Sequence, residues 1–161
     1  MEAPMQAPLN GTRIVIGAIG DDIHVVGITI LGHAFRNAGA EVIQLGVQTP
    51  PEEFVSTAVA EDADVVMVSS SNGHASMWCE NLRKDIDEAG AGHILLYVGG
   101  NLSVSASTPW AQVEKQFLAM GFDRVFGPRT QPADAAAVLA ADLADPQGGR
   151  GARGTKAVGN V

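Results

Sequence analysis

Asp22 and His24 stand two residues apart, with Gly27 three further on, in the stretch Gly20-Asp21-Asp22-Ile23-His24-Val25-Val26-Gly27. An aspartate at that spacing can accept a hydrogen bond from one imidazole nitrogen. That fixes the tautomer and leaves the other nitrogen's lone pair for a metal. One histidine cannot hold a bare ion, but it suffices where a macrocycle such as a haem or a corrin already supplies the equatorial ligands. The same spacing also suits a loop histidine that does no more than hydrogen-bond Asp22, and spacing alone leaves both readings open. Gly27, lacking a side chain, leaves a gap through which a bulky group could pass close to backbone. Two other short segments, Ser69-Ser70-Ser71 and Gly99-Gly100, are built of small residues that would widen such a gap into a slot. Their hydroxyls and free backbone N–H groups could bind a polar tail.

These residues need a scaffold that brings them together, and the sequence supplies one. Apolar β-branched runs at 13–19, 41–45, 64–69, 94–98 and 124–126 read as strands. Several are nearly continuous in Ile, Val, Leu and Met, as in parallel strands covered by helices on both faces. Amphipathic stretches at 25–37, 52–60, 76–89, 109–120 and 132–143 alternate with them. Pro50-Pro51 and Pro109 mark helix starts, and Gly39, Gly90 and Gly121 mark helix stops. The expected fold is α/β: a doubly wound, five-stranded parallel sheet of flavodoxin-like (Rossmann-like) type, with right-handed crossovers. Every candidate segment then falls just after a strand, where open parallel sheets bind ligands.

The 161 residues suffice for one domain, expected over 12–144, flanked by a loose arm at 1–11 and a disordered tail at 145–161. A 46% hydrophobic and 17% charged composition excludes a disordered or fibrous chain. The single cysteine, Cys79, excludes a disulfide framework and any multi-cysteine metal site, and fits a reducing cytoplasm. A net charge of −8 repels a phosphate backbone, and 5% aromatic residues leave few stacking platforms, so nucleic acid is not an expected partner. No apolar run is long enough to cross a bilayer, and 1–11 lacks the pattern of a secretory signal, so no membrane partner is expected.

Common alternatives fail on particular residues. The first strand is followed by Gly20-Asp21-Asp22 rather than the second half of a G-x-G-x-x-G, and two carboxylates there would repel a pyrophosphate. No G-x-x-x-x-G-K-[ST] occurs. A phosphate-accepting receiver domain needs an aspartate after the third strand and a lysine after the fifth, where this chain has Ser69-Ser70-Ser71 and Gly127-Pro128-Arg129. The serine segment also lacks the G-x-S-x-G elbow of a hydrolase.

Asp22-x-His24-x-x-Gly27, Ser69-Ser70-Ser71 and Gly99-Gly100 together resemble the D-x-H-x-x-G … S-x-L … G-G signature of cobalamin-binding domains. The likeness extends to Asp87-Glu88-Ala89-Gly90, Ile94-Leu95-Leu96-Tyr97-Val98-Gly99-Gly100-Asn101 and Met120-Gly121-Phe122-Asp123-Arg124-Val125. These segments are similar to the small (sigma) subunits of glutamate mutases, also called methylaspartate mutases, over about residues 12–143.

The resemblance implies a set of roles. Adenosylcobalamin would bind base-off, its dimethylbenzimidazole displaced from cobalt and its nucleotide tail in the slot. His24 would be the axial cobalt ligand and Asp22 its orienting partner, with Asp21, Ile23, Val25 and Gly27 around that contact. Ser69, Ser70 and Ser71 would lie near the displaced base, and Gly99, Gly100, Asn101, Leu102, Ser103, Val104 and Ser105 along the tail. In such mutases the cobalt–carbon bond breaks homolytically and glutamate rearranges to 3-methylaspartate. This chain is too short to contain the barrel that holds glutamate. A separate large (epsilon) subunit is therefore implied, in a hetero-oligomer, the family's heterotetramer. A cobalamin-binding sensor or corrinoid carrier acting through another protein is the alternative.

The chain departs from the signature at Ser71, where the family has leucine, and in the following Asn72-Gly73-His74, which replaces a more usual aromatic-Gly pair. A serine gives up about 1–2 kcal/mol of apolar contact unless its hydroxyl finds a partner. Other polar residues carry plainer expectations. His33 is expected on a helix surface and His93 exposed. His74 is placed on a loop within possible reach of a ligand. Cys79 is expected to be a small buried hydrophobe, and Trp78 and Trp110 to pack at helix starts.

Overall fold

A computed structural model describes residues 7–145. Five parallel strands form one sheet: β1 (Arg13–Ile19), β2 (Glu41–Thr49), β3 (Val65–Ser70), β4 (Leu95–Gly100) and β5 (Arg124–Phe126), in the order β2-β1-β3-β4-β5. Six helices connect and cover them: α1 (Val25–Asn37), α2 (Pro51–Ala60), α3 (Ala75–Cys79), α4 (Leu82–Glu88), α5 (Trp110–Ala119) and α6 (Pro132–Ala144). The expected doubly wound α/β fold is observed.

Each face of the sheet has its own apolar core. On one face Val15, Val66, Leu96 and Val98 meet Phe54 of α2, Leu82 and Ile86 of α4 and Phe117 of α5. On the other, Ile14, Ile16, Met67 and Tyr97 meet Ile28 and Phe35 of α1 and Leu139 of α6. Alternation along strands buried on both sides explains why their sequences read as unbroken apolar runs.

Three elements differ from the expectation. β2 runs to Thr49 rather than ending at residue 45, because its pairing with β1 shifts register after Ile16 and again after Gly17. Gly46 and Gln48 take positive φ values of 82° and 52° there, so the bulge interrupts the apolar pattern without ending the strand. The helix expected over 76–89 is two helices, broken where Asn81 adopts φ −109°, ψ 4°. Residues 7–11, expected in a loose arm, are tied down. Leu9 is fully buried against the α1 and α6 side of the sheet, and its N–H donates to Ala38 O at 2.8 Å. The tail expected beyond Asp145 lies outside the described residues.

α6 contributes few large apolar side chains and is held partly by a polar anchor. The buried Asp142 carboxylate accepts from Arg124 Nε at 2.9 Å and Nη2 at 2.7 Å, and from the Tyr97 hydroxyl. Burial pushes the Asp142 carboxyl up, but the Arg124 and Tyr97 hydrogen bonds outweigh it and hold the group below the usual carboxylate range. A folded-state value below the unfolded one stabilises the fold at neutral pH, and that contribution is lost as pH falls through the folded-state value. Unfolding followed between neutral pH and about pH 3 is therefore expected to show acid destabilisation that Asp142→Asn reduces. Asp142→Ala should cost about 2 kcal/mol at neutral pH, by leaving Tyr97 and Arg124 without their acceptor.

Candidate functional site

The strand order changes direction between β1 and β3, and the candidate residues gather at that point. Gly20 turns the chain out of β1 with φ 70°, and its N–H donates to Thr49 O at 2.7 Å. The next residues form a loop whose two carboxylates splay in opposite directions.

Asp22 points inward, and its side chain is fully buried. Its Oδ1 accepts from the His24 N–H at 2.8 Å and lies 2.6 Å from His24 Nδ1. Its Oδ2 accepts the backbone N–H of Ser71, at the end of β3, so one carboxylate ties together the ends of both strands. Because the carboxylate is already an acceptor for two backbone donors, the ring contact is satisfied when Nδ1 carries the proton. Nε2 is then the nitrogen with the free lone pair, on a side chain 56% exposed. His24 also occupies the N-cap position of α1, in an extended conformation (φ −82°, ψ 93°), so the helix start fixes its backbone.

A cleft of about 370 Å³ opens between the α1 and α6 face of the sheet and those two helices; Asp22 and His24 do not line it, and the lining residue Ser71, bonded to Asp22, connects it to the pair. Strand register dictates its shape. Ile16, Met67 and Tyr97 align across β1, β3 and β4 and line its floor. Ala18, Ser69, Gly99 and Phe126 align in the next row toward the carboxyl ends. That row is small over three strands and aromatic on the fourth. Gly27, Ile30 and Leu31 of α1 form one wall, and Pro132 and Ala135 of α6 another. A Cβ placed on Gly27 would find only Ser69 Oγ, at 4.0 Å, so the glycine leaves open space rather than relieving a clash. Gly100 is different. With φ 118°, its Cβ would lie 2.1 Å from Ser70 O, so close backbone packing requires glycine there.

Ser69, Ser71, Gly99, Gly100, Asn101 and Gly27 therefore share one cleft, as the slot reading requires. Ser70 does not line it. Strand alternation turns its hydroxyl the other way, onto Asn72 Oδ1 at 3.2 Å. Leu102 is buried in the opposite core. Ser103, Val104 and Ser105 are in an adjoining loop, outside the lining, where Ser105 N–H donates to Ser103 Oγ at 3.2 Å. The Ser71 backbone, not its side chain, makes the bond to Asp22, so the departure from leucine leaves that link intact. Ile23, Val25 and Val26 are exposed apolar side chains on either side of His24, and Val104, beside Gly73 of the loop after β3, is exposed as well.

Asp21 points the other way. Its carboxylate accepts from Asn72 Nδ2 at 2.9 Å and Trp78 Nε1 at 3.2 Å, and lies 2.9 Å from His74 Nδ1. The hydrogen bond with His74, followed by that from Asn72, holds its carboxyl below the usual range. Cys79 is buried, with its thiol pushed up to about 12 by desolvation, which removes it as a nucleophile at neutral pH. His33 and His93 are exposed. The floor residues Tyr97 and Met67 were missed from the sequence, although period-two spacing from Gly99 and Ser69 would have found them.

The donor set bears on which metal group could fit. Among the described residues no cluster of three or more His, Cys, Asp or Glu could hold an ion alone. A single oriented imidazole beside an apolar slot, flanked by exposed aliphatic side chains, suits a metal whose equatorial ligands come from a large planar macrocycle. No helix among the described residues is long and apolar enough to cross a membrane.

Comparison with known proteins points the same way. The B12 binding domain family model matches residues 12–137. The glutamate mutase sigma subunit 1 of Haloarcula marismortui is 51% identical over 130 residues, 81% of this chain and 85% of that protein. The glutamate mutase sigma subunit of Clostridium cochlearium is 48% identical over 130 residues, 81% of this chain and 94% of that protein. Among solved structures, a cobalamin-binding protein from Desulfitobacterium hafniense superposes with a TM-score of 0.66 at 19% identity, over 81% of this chain and 58% of its own. The methanol:cobalamin methyltransferase complex of Methanosarcina barkeri gives 0.64 at 22% identity, over 82% and 46%. At those identities the structures speak for the fold.

Proposed function

Because the chain belongs to the B12-binding domain family and, within it, to the glutamate mutase sigma subunits, we propose that it is the cobalamin-carrying small subunit of a two-chain glutamate mutase. The observation that carries the reading is the Asp22–His24 pair: an imidazole held through Nδ1 on a largely exposed side chain, by a carboxylate that also binds the N–H of Ser71, a cleft-lining residue. His24 Nε2 is the axial cobalt ligand in this reading, and the cofactor is bound base-off. Asp22 fixes the ring's tautomer and direction.

The cleft takes the cofactor's nucleotide tail. Gly27 supplies its opening, Ser69 and Ser71 offer hydroxyls, and the backbone around Gly99 and Gly100 is bare enough for close approach. Ile23, Val25, Val26 and Val104 present apolar surface to the corrin underside, where water would otherwise compete with Nε2. Bound there in its adenosyl form, cobalamin supplies a carbon radical by homolysis of its cobalt–carbon bond. No residue of this chain is assigned to glutamate, which falls to a separate large subunit in a hetero-oligomer. A buried thiol and an acidic composition suit the cytoplasm as the working compartment.

Reconstitution tests the reading. The full chain, mixed with a large mutase subunit, adenosylcobalamin and L-glutamate, is expected to form 3-methylaspartate only when both chains are present. Saturating cofactor binding without turnover of glutamate would overturn the substrate assignment.

A further inference from the structure

The loop that carries His24 is held from two sides, and only the Asp22 side is explained by ligation. Asp21 is not in contact with the cleft, yet its carboxylate collects Asn72, His74 and Trp78, residues 51 to 57 positions away along the chain. All three belong to the segment between β3 and α4 in which the sequence departs from the family pattern.

The arrangement is anchored at both ends. Trp78 packs against the core on the α2 and α4 face, and its indole lies directly over Gly20, where a Cβ would come within 2.2 Å of Trp78 Nε1. Asn72 is itself fixed, because its Oδ1 accepts from the Ser70 hydroxyl at 3.2 Å and from the His74 N–H at 3.0 Å. On the opposite side of the loop, Asp22 binds Ser71 N–H, one residue before Asn72. The same two loops are therefore stapled twice, by adjacent carboxylates facing opposite ways.

From this we infer that Asp21, gripped by Asn72, His74 and Trp78, is a positioning residue that holds the His24 loop in its ligand-ready form before cobalamin binds. The inference rests on the cofactor reading above. Its physical content is preorganisation: a loop already ordered loses less conformational freedom on binding, and the saving appears as affinity. Asp21 touches neither cobalt nor corrin in this account and acts only through the loop.

Amide hydrogen exchange on the cofactor-free full chain reads the clamp directly. The His24 and Ser71 N–H groups, both bonded to Asp22, are expected to be protected in the native protein. Asp21→Ala and His74→Ala should each speed their exchange about tenfold while the N–H groups of β1 and β3 keep their protection. Cobalamin affinity should fall by about tenfold in the same variants, the range seen when outer partners of a metal ligand are removed. His74→Asn, which offers Nδ2 where His74 Nδ1 stood, should restore most of both. Exchange and affinity within twofold of native in Asp21→Ala and His74→Ala would overturn the clamp. Failure of the native chain to bind cobalamin at all would instead overturn the functional reading, and the exchange comparison would still decide whether Asp21 orders the loop.

Discussion

Replacing His24 with glycine is expected to remove the histidine-ligated absorption spectrum of the cobalamin-loaded protein and to lower mutase turnover by about 100-fold or more, the scale of loss that follows when reacting groups are displaced by an ångström. His24 is the histidine that Asp22 holds, whereas the nearby His74 is held by Asp21. The fold should survive. The His24 side chain is largely exposed, and glycine at an N-cap costs only a few tenths of a kcal/mol compared with the good capping residues. Asp22 keeps the N–H groups of residue 24 and Ser71 as donors. A large loss of turnover with an unchanged melting temperature is thus the expected signature. An unchanged spectrum and affinity would exclude ligation by His24.

Gly27→Leu is the second large effect, and its two consequences should have opposite signs. Leucine is about 1 kcal/mol better than glycine inside a helix, and the space beside Gly27 Cα is open, so the cofactor-free chain should melt at the native temperature or a few degrees higher. The added side chain projects into the cleft where Ser69 faces α1. Cobalamin affinity should fall by about 100-fold or more, since the overlap would have to be relieved by displacing the tail or the helix. Titration of the absorption spectrum with cobalamin, beside a thermal melt of the free chain, measures both. Gain of stability with undiminished binding would show that the tail does not use this slot.

Much of this was readable from the sequence because parallel sheets bury their strands on both faces. The runs at 13–19 and 124–126 coincide with β1 and β5, and the helix expected over 25–37 coincides with α1. The misreadings have local causes. The Gly46 bulge breaks the apolar rhythm of β2 without ending the strand, and Asn81 interrupts a helix whose apolar spacing continues through it. Leu9 follows a Pro- and Ala-containing stretch with neither strand nor helix periodicity, and only its full burial reveals its anchoring role.

The site shows the same division. The Asp22–His24 contact is local, two residues apart, and was legible from spacing. Alternation decides that Ser69 lines the cleft while Ser70 turns away, yet the motif alone groups them together. Asp21 looks like a simple neighbour of the ligand loop. Its partners Asn72, His74 and Trp78 come from beyond two helices and two strands, a pairing that no local pattern encodes.

The central claim is a bond between one imidazole nitrogen and cobalt, and electron paramagnetic resonance tests it most directly. The loaded protein, reduced to the cobalt(II) state, carries an unpaired electron that couples to its axial nitrogen. With natural-abundance histidine that coupling splits each line into a triplet. In protein grown on nitrogen-15 histidine, with unlabelled cobalamin, ligation by His24 predicts a doublet. A triplet that persists after labelling would mean that the cofactor's own base still holds the metal, contradicting the account.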